Sequence, residues 1–567
     1  MPLLLLRVSA CLLMLVAAHA DAAVDEGYEL LFQSETTEVR NACFPAPPLP
    51  GWLQGSFLFA AVGQLEVGEQ KFVDVLDGFG KLHRFDIKPE SSEICFSARM
   101  MDTGFFNQSM ASNEIAPSVL FSEPVPKRTG INPLRNIMGP NDNVIINSIE
   151  LGQGNYMMVT DSPTSLDFDP SSLHMLGKHQ WTDKTVRVGN MGMLGSGHPL
   201  RWPGDARNRL LELVVEAPYV RIGHRGPLAA ARVDMLAVAD DSPTERVLVN
   251  SFQPPKGYIP YFHSFGATKN YAVLPLQACS LSFGPLEAGR PMSDAFKPFD
   301  AKSFVLVPFD GSAPIEFNLS SSIAYAHNVN AFENASGVVF DVSTFNVNNP
   351  FQTNFTQIPV QTDKTLRDAE PTRGQVERFV FHLAPDDPRH PRGSVTRQVL
   401  TTSPRAEQGQ LRYQEFPRID DAQAGHAHGF YYAIEWFHDD KTKGAMAIVK
   451  QQVPTEQETG AVTASAKENG DDDNATGTSY WYRRSFFPGE AIFVPSDREG
   501  RGEDEGVLLF VSLAGAEAGQ TSHFHVVNAT TMADIVDLTM PVRIPYQAHG
   551  QFFAGPSMFN STKAELN

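Results

Sequence analysis

The chain predicts an all-β fold, and three observations carry that expectation. Short β-rich runs closed by turn residues recur along it, glycine and proline are abundant at 43 and 41 residues, and beyond the first twenty residues no long stretch keeps helical periodicity. Glycine and proline suit tight turns between antiparallel strands, and they disrupt helix interiors. The chain has 567 residues, 42% hydrophobic and 19% charged, with 39 Phe. That is ample apolar surface for a large core and excludes whole-chain disorder. Forty-five Lys and Arg against 65 Asp and Glu leave a net charge of −20. So acidic a surface repels phosphate backbones, which argues against a nucleic-acid partner.

Taken in order, residues 1–22 read as a secretory leader. Arg7 precedes the apolar run Val8–Ala18, and small-residue cleavage sites follow at Ala18-His19-Ala20 and Ala20-Asp21-Ala22. The run is shorter than the ~20 apolar residues a spanning helix needs, and no later segment is apolar enough to span. Asn107, Asn318, Asn334, Asn354, Asn474, Asn528 and Asn560 each open a glycosylation sequon. Together with the leader they predict the secretory route, ending outside the cell or in an endomembrane lumen. Residues 23–567 are then expected to form one domain. Its strands are legible as Phe72–Val75 before Asp77-Gly78, Ser303–Val307 before Asp310-Gly311, Ala491–Val494, and Val507–Val511. The stretch 454–479 is rich in Glu, Asp, Ala, Thr and Gly, and it reads as an acidic surface loop inserted in that domain.

Cysteine is scarce. With Cys11 in the leader, only Cys43, Cys95 and Cys279 remain, enough for one internal disulfide and a free thiol, whichever two pair. No Cys-x-x-Cys word supports a zinc ribbon, an iron–sulfur cluster or thioredoxin chemistry.

Four of the 16 His stand out by their settings beside small or aromatic residues. They are His198 in Gly195-Ser-Gly-His-Pro, His263 in Tyr261-Phe-His-Ser-Phe-Gly, His327 in Tyr325-Ala-His-Asn-Val-Asn, and His549 in Tyr546-Gln-Ala-His-Gly. Successive separations of 65, 64 and 222 residues are too long for one helix or hairpin. A closed ring of sheets, each pointing a side chain at a common axis, can bring such residues together. Buried or surface roles for these histidines stand beside metal ligation on spacing alone.

The words around them extend the reading. Leu76-Asp-Gly-Phe-Gly-Lys-Leu-His-Arg-Phe, Arg99-Met-Met-Asp-Thr-Gly-Phe-Phe, the His263 and His327 words, Gly489-Glu-Ala-Ile-Phe-Val-Pro, Glu503-Asp-Glu-Gly-Val and Pro541 to His549-Gly resemble the carotenoid cleavage oxygenase family, in its order and over nearly the whole mature chain. The animal carotene oxygenase branch is the nearest in character. The resemblance implies a seven-bladed β-propeller with a helical and loop cap over the metal face. It implies one Fe(2+) per chain held by His198, His263, His327 and His549, with dioxygen as co-substrate. It further implies outer carboxylates at Asp161, Glu415 and Glu490, and Thr160 beside an open coordination position. Asp161 stands where the family usually has Glu. Imidazole ligands suit iron, and the absence of thiolate disfavours copper(I) or structural zinc. Carboxylates one shell out would accept the second ring N–H and fix the tautomers.

The reaction implied is cleavage of one C=C bond of a carotenoid or apocarotenoid with O2, giving two carbonyl products, aldehyde or ketone. A stilbene-cleaving oxygenase is the first alternative, but Phe105 stands where that branch has its phenol-anchoring lysine. Retinoid ester isomerohydrolysis is the second, and the PDPCK-like membrane word of those enzymes is not legible in Ser122-Glu-Pro-Val-Pro-Lys. A binding protein on a dead propeller is the third, against which all four His are present. His426-x-His428 and His523-x-His525 could place two imidazoles on one strand face, yet no matching carboxylate and third His accompany them, so surface or packing roles are expected. A lipophilic polyene must be drawn from a membrane or lipid particle by peripheral contact. Ile131, Leu134, Ile137 and Met138, at helical spacing, are the candidate apolar patch.

Overall fold

Several strands are buried on both faces, and the packing explains why. In Ser303–Pro308, Phe304 and Leu306 face Phe340, Phe379 and Phe381. Val305 and Val307 face the opposite way, into a core with Leu213 and Met235. Side chains alternate sides along a strand, so a sheet sandwiched between two others must be apolar on both. Val507–Val511 repeats the arrangement, with Leu508 and Phe510 in one core and Val507, Leu509 and Val511 in another.

The computed structural model describes residues 27–128, 141–182, 190–218, 231–347, 356–383, 393–439, 444–454 and 477–559. These form seven antiparallel sheets of four or five strands, with two small two-stranded ribbons. Arranged as blades of a β-propeller, they pack face to face around an axis. The second to seventh blades run outward in chain order from inner strands Asn147–Glu150, Asn190–Gly195, Gly266–Ala267, Ala324–Asn334, Leu411–Arg418 and Phe486–Pro488. The expected leader, the candidate patch Ile131 to Met138 and nearly all of the 454–479 insertion lie outside the described residues.

The first blade is built from both chain ends. Its order is Val39–Pro45, Glu93–Met100, Phe79–Lys88, Gly55–Gln64 and Gln547–Ala554. The last of these pairs Phe57 with Phe552 and Phe59 with Gly550. Gly550 is required there, because a Cβ would sit 2.7 Å from the Phe57 ring. Across the seam with the seventh blade, the Phe85 and Phe524 rings stack with centroids 4.3 Å apart, so the ring closes on an apolar core.

Cys43 and Cys95 are cross-strand neighbours in the first blade and are disulfide-bonded, clipping its outermost strand to the next. Cys279 is buried and free, and burial pushes its thiol up to about 12, away from reactivity.

A cap of short helices and loops stands over one face. Val75 N–H donates to Thr356 O and Ile358 N–H to Val73 O, while Met292 and Ser293 N–H donate to Leu120 O and Phe121 O. Phe121 and Ser122 N–H donate to Asp77, which ties segments 73–77, 119–122, 292–296 and 356–362 into one lid.

Candidate metal centre

Every blade sends one of the sequence-selected residues toward the axis. His549 lies on the inner strand of the first blade, His327 on that of the fifth and Glu415 on that of the sixth. Asp161 follows Tyr156–Val159 of the second, His198 follows Asn190–Gly195 of the third, and His263 precedes Gly266–Ala267 of the fourth. Glu490 joins Phe486–Pro488 to Ile492–Pro495 in the seventh. Inner strand ends converge at a propeller axis, which is how residues hundreds of positions apart become neighbours.

The four His offer ligand atoms that all lie within 4.8 Å of one another. Nε2 separations are 3.2 Å for His198–His263, 3.0 Å for His263–His327 and 2.9 Å for His327–His549. Ligands about 2.1 Å from a cation stand about 3.0 Å apart at a right angle and about 3.4 Å apart at tetrahedral corners. The observed values fit right angles. Ring centroids agree: five of the six pairs are 4.2–5.0 Å apart and the sixth, His263–His549, is 6.2 Å. A tetrahedron gives six equal separations and a square gives four short and two long. Five short and one long is the pattern of an octahedron with two adjacent corners left over.

The tautomers follow from the carboxylates. His263 Nδ1 lies 2.8 and 3.0 Å from the Asp161 oxygens, and His549 Nδ1 lies 2.9 Å from Glu490. His327 Nδ1 makes a short contact with Glu415. Donation from Nδ1 leaves the Nε2 lone pairs aimed at one another, an arrangement that repels itself unless a cation collects them. Burial, helped by the neighbouring imidazoles, holds His198, His327 and His549 well below the ordinary histidine range, so these rings are neutral. Burial lowers His263 too, but the Asp161 carboxylate prevails and raises it. Burial pushes Glu415 up to about 8. Four nitrogens, three of them on neutral rings, with carboxylates behind three, fit a divalent transition metal such as iron.

Partners that the sequence did not single out complete the shell. Tyr261 OH donates to Asp161 at 2.7 Å, and Gly197 N–H donates to it at 2.9 Å. A side chain at Gly197 would meet Asp161 Oδ1 at 2.8 Å and Ile146 at 2.7 Å, so the shorter acid sits in a close-fitted slot. Arg418 donates to both oxygens of Glu490 at 2.8 and 3.1 Å. Phe416 packs 4.9 Å from both the His327 and His549 rings.

One cavity reaches from His263, His327 and His549 up to the cap. Thr160, Ile146, Phe416 and Trp436 are among its walls. Phe105 is not among them and packs instead against Phe79 in a satellite core, with ring centroids 5.1 Å apart. The other His pairs are elsewhere. His426 is in a turn and exposed, so it shares no strand face with His428, which is buried beside Asn330 and Asp341. His523 and His525 do share a face, with rings 6.1 Å apart. Each takes its own carboxylate, Asp537 and Asp534. His428, His523 and His525 pack the propeller, and His426 stands on its surface.

Comparison with known proteins gives one consistent result. The model of the family described as Retinal pigment epithelial membrane protein matches residues 32–554. The carotenoid isomerooxygenase of Galleria mellonella is 24% identical over 533 residues, covering 89% of this chain and 92% of that protein. The beta,beta-carotene 15,15'-dioxygenase of Rattus norvegicus is 22% identical over 565 residues, covering 91% and 90%. Among solved structures, a Glu150Asp variant of the Synechocystis apocarotenoid oxygenase superposes with a TM-score of 0.71 at 18% identity, covering 93% of this chain and 98% of that one. The cobalt-substituted form of that oxygenase gives 0.69 with the same coverage.

Proposed function

Since the chain belongs to the Retinal pigment epithelial membrane protein family, that of the carotenoid cleavage oxygenases, we propose that it is an iron(II) dioxygenase that cleaves one C=C bond of a carotenoid or apocarotenoid. The balance is R–CH=CH–R′ plus O2 giving two carbonyl fragments, with no other reductant needed. The observation that carries the reading is the convergence of four imidazole lone pairs in a right-angled set that opens on an apolar cavity. His198, His263, His327 and His549 would hold the metal, and ferrous iron bound there supplies the means of activating dioxygen.

The chain's own residues do the rest. Asp161, Glu415 and Glu490 hold the ring N–H groups of His263, His327 and His549 and so keep those three Nε2 atoms free to bind. Phe416 and Trp436 exclude water and give the polyene an apolar surface, and Thr160 contributes a small polar wall. Incubation with a panel of carotenoids, apocarotenals and hydroxylated stilbenes, followed by product masses, tests this. Paired carbonyl fragments from a polyene are expected. Cleavage confined to the stilbenes, or isomerised retinoid without oxygen incorporation, would replace it.

Export along the secretory route belongs to the same proposal. The Cys43–Cys95 bond supports it, because disulfides persist in oxidising compartments. Asn318 is exposed and accessible to a glycosyltransferase. Uptake of substrate from a membrane or lipid particle by peripheral contact is also proposed. Among the described residues no helix is long and apolar enough to cross a membrane, and a polyene is nearly insoluble in water. With a net charge of −20, attraction to anionic lipid is not the driving force, so binding should tolerate salt. The protein is expected to float with neutral liposomes equally at low and high ionic strength. No flotation, with full turnover of detergent-free substrate, would show delivery by another route.

A further inference from the structure

Each carboxylate behind a ligating ring is itself held, and the holders differ. Glu415 takes the Phe416 N–H at 2.9 Å. Glu490 takes Arg418 at 2.8 and 3.1 Å and the Gly550 N–H at 3.0 Å. Asp161 takes the Gly197 N–H at 2.9 Å on Oδ1 and the Tyr261 hydroxyl at 2.7 Å on Oδ2. Apart from the histidines themselves, Tyr261 is the one side chain of the cavity wall, among the described residues, that donates to any of the three. Its ring also meets Phe296 of the lid edge to face, with centroids 5.5 Å apart.

The geometry at His263 makes this hold consequential. Its Nδ1 lies 3.0 and 2.8 Å from the two Asp161 oxygens, so the ring N–H has two nearly equivalent acceptors. Rotation about χ2 of a histidine is soft, so the plane of the carboxylate sets where Nε2 points. Fixing both oxygens fixes that plane. Gly197 fixes one from the backbone, and Tyr261 fixes the other. Without the hydroxyl, Oδ2 keeps only His263, and the acid can turn with the ring it should restrain. His263 stands across the site from His549, the long pair at 6.2 Å. A swing at His263 therefore spoils the line on which those two nitrogens face each other.

We infer that Tyr261 is a positioning residue for the metal centre: it locks the plane of Asp161 and, through it, the direction of His263 Nε2. The inference deepens the function proposed above and rests on its metal centre. It gives the acid at 161, one methylene shorter than the Glu usual in the family, a second donor with which to hold its ring. It also puts the outer end of the series Tyr261, Asp161, His263 in the cavity wall and under the lid.

The test titrates the metal-free full chain with Co(2+), read by its d–d absorption, beside turnover of the iron-loaded chain. Tyr261→Phe keeps the ring in the wall and removes only the hydroxyl. Cobalt affinity is expected to fall roughly 5–10-fold, less than the 10–100-fold usual when an outer carboxylate is lost outright. The cobalt bands should move and kcat should fall, while KM for a polyene stays. On an Asp161→Ala background, Tyr261→Phe should weaken cobalt no further, because residues that act through one another are not additive. Asp161→Asn supplies a second background that keeps the shape of the side chain. There the loss from Tyr261→Phe should shrink with the charge. Parental cobalt affinity and bands in Tyr261→Phe would overturn the proposal. So would the same fold-loss on all three backgrounds, which marks a route that bypasses Asp161. A parent that binds cobalt with these dependences yet cleaves no polyene would instead sink the proposed function and leave this role standing.

Discussion

Replacing any one of His198, His263, His327 or His549 with Ala is expected to strip most of the iron and abolish cleavage. The four nitrogens come from four blades, and no other His, Cys, Asp or Glu group among the described residues gathers in a like cluster. Three imidazoles cannot recruit a fourth, because each inner strand end is fixed by its own sheet. The fold should survive the change, since an Ala in place of a ring relieves crowding among nitrogens 2.9–3.2 Å apart. Iron content by mass spectrometry and turnover should therefore fall together, with an unchanged circular dichroism spectrum. A variant with native iron and full activity would remove that residue from the site. His426→Ala and His523→Ala serve as controls and should be nearly silent. His426 is exposed and reaches only the Ala424 carbonyl, and Asp537 keeps Arg483 when His523 is lost.

Glu415→Gln and Glu490→Gln should each cost roughly 10–100-fold in iron affinity or turnover, the usual price of losing a carboxylate behind a ligating His. They should differ in stability. Glu415 faces His327 Nδ1 and the Phe416 N–H, so its amide leaves no charge stranded. Glu490 answers four donors, from His549, Gly550 and twice from Arg418. Its amide strands a guanidinium whose side chain is only 21% exposed. Breaking such a pair costs about 3–5 kcal/mol when fully buried, and less here because Arg418 keeps some solvent. A lower urea midpoint is expected for Glu490→Gln alone. If Arg418→Met added to Glu490→Gln failed to recover stability, the stranded charge would not be its cause. Parental iron retention and turnover in both single variants would overturn the carboxylates' role.

The four histidines were legible because each sits in a distinctive local word, and words survive in one dimension, whereas Asp161, Glu415 and Glu490 came only through the family resemblance. Tyr261, Arg418 and Phe416 were not, because their part depends on which blade end faces which. Tyr261, at the entry to the fourth blade, meets Asp161 of the second, and Arg418 of the sixth meets Glu490 of the seventh. Asp77 was visible in the sequence as a turn residue before Gly78 and as part of the word that opens at Leu76, and nothing local tells that the turn roofs a cavity. Strand existence was readable in runs such as Val507–Val511, but the facing of each side chain was not. Alternation is erased when both sides of a sheet are buried. The His pairs show the converse hazard, since His426 and His428 share a face only if their segment is a strand, and it is a turn.

The closing strand Gln547–Ala554 has a consequence for the timetable of synthesis. It is the innermost strand of the first blade and carries His549, yet its partner Gly55–Gln64 leaves the ribosome far earlier. At ~5–20 residues per second that partner waits roughly 25–100 s for its neighbour. During that interval its inner edge is unpaired, a row of bare amides next to Phe57 and Phe59 that invites wrong pairing. Metal can be gathered by the full set of four nitrogens only after His549 has been made. A nascent chain halted before His549 therefore has neither a sealed ring nor its last ligand, so a quality-control system that senses the open edge would also be screening for loading competence.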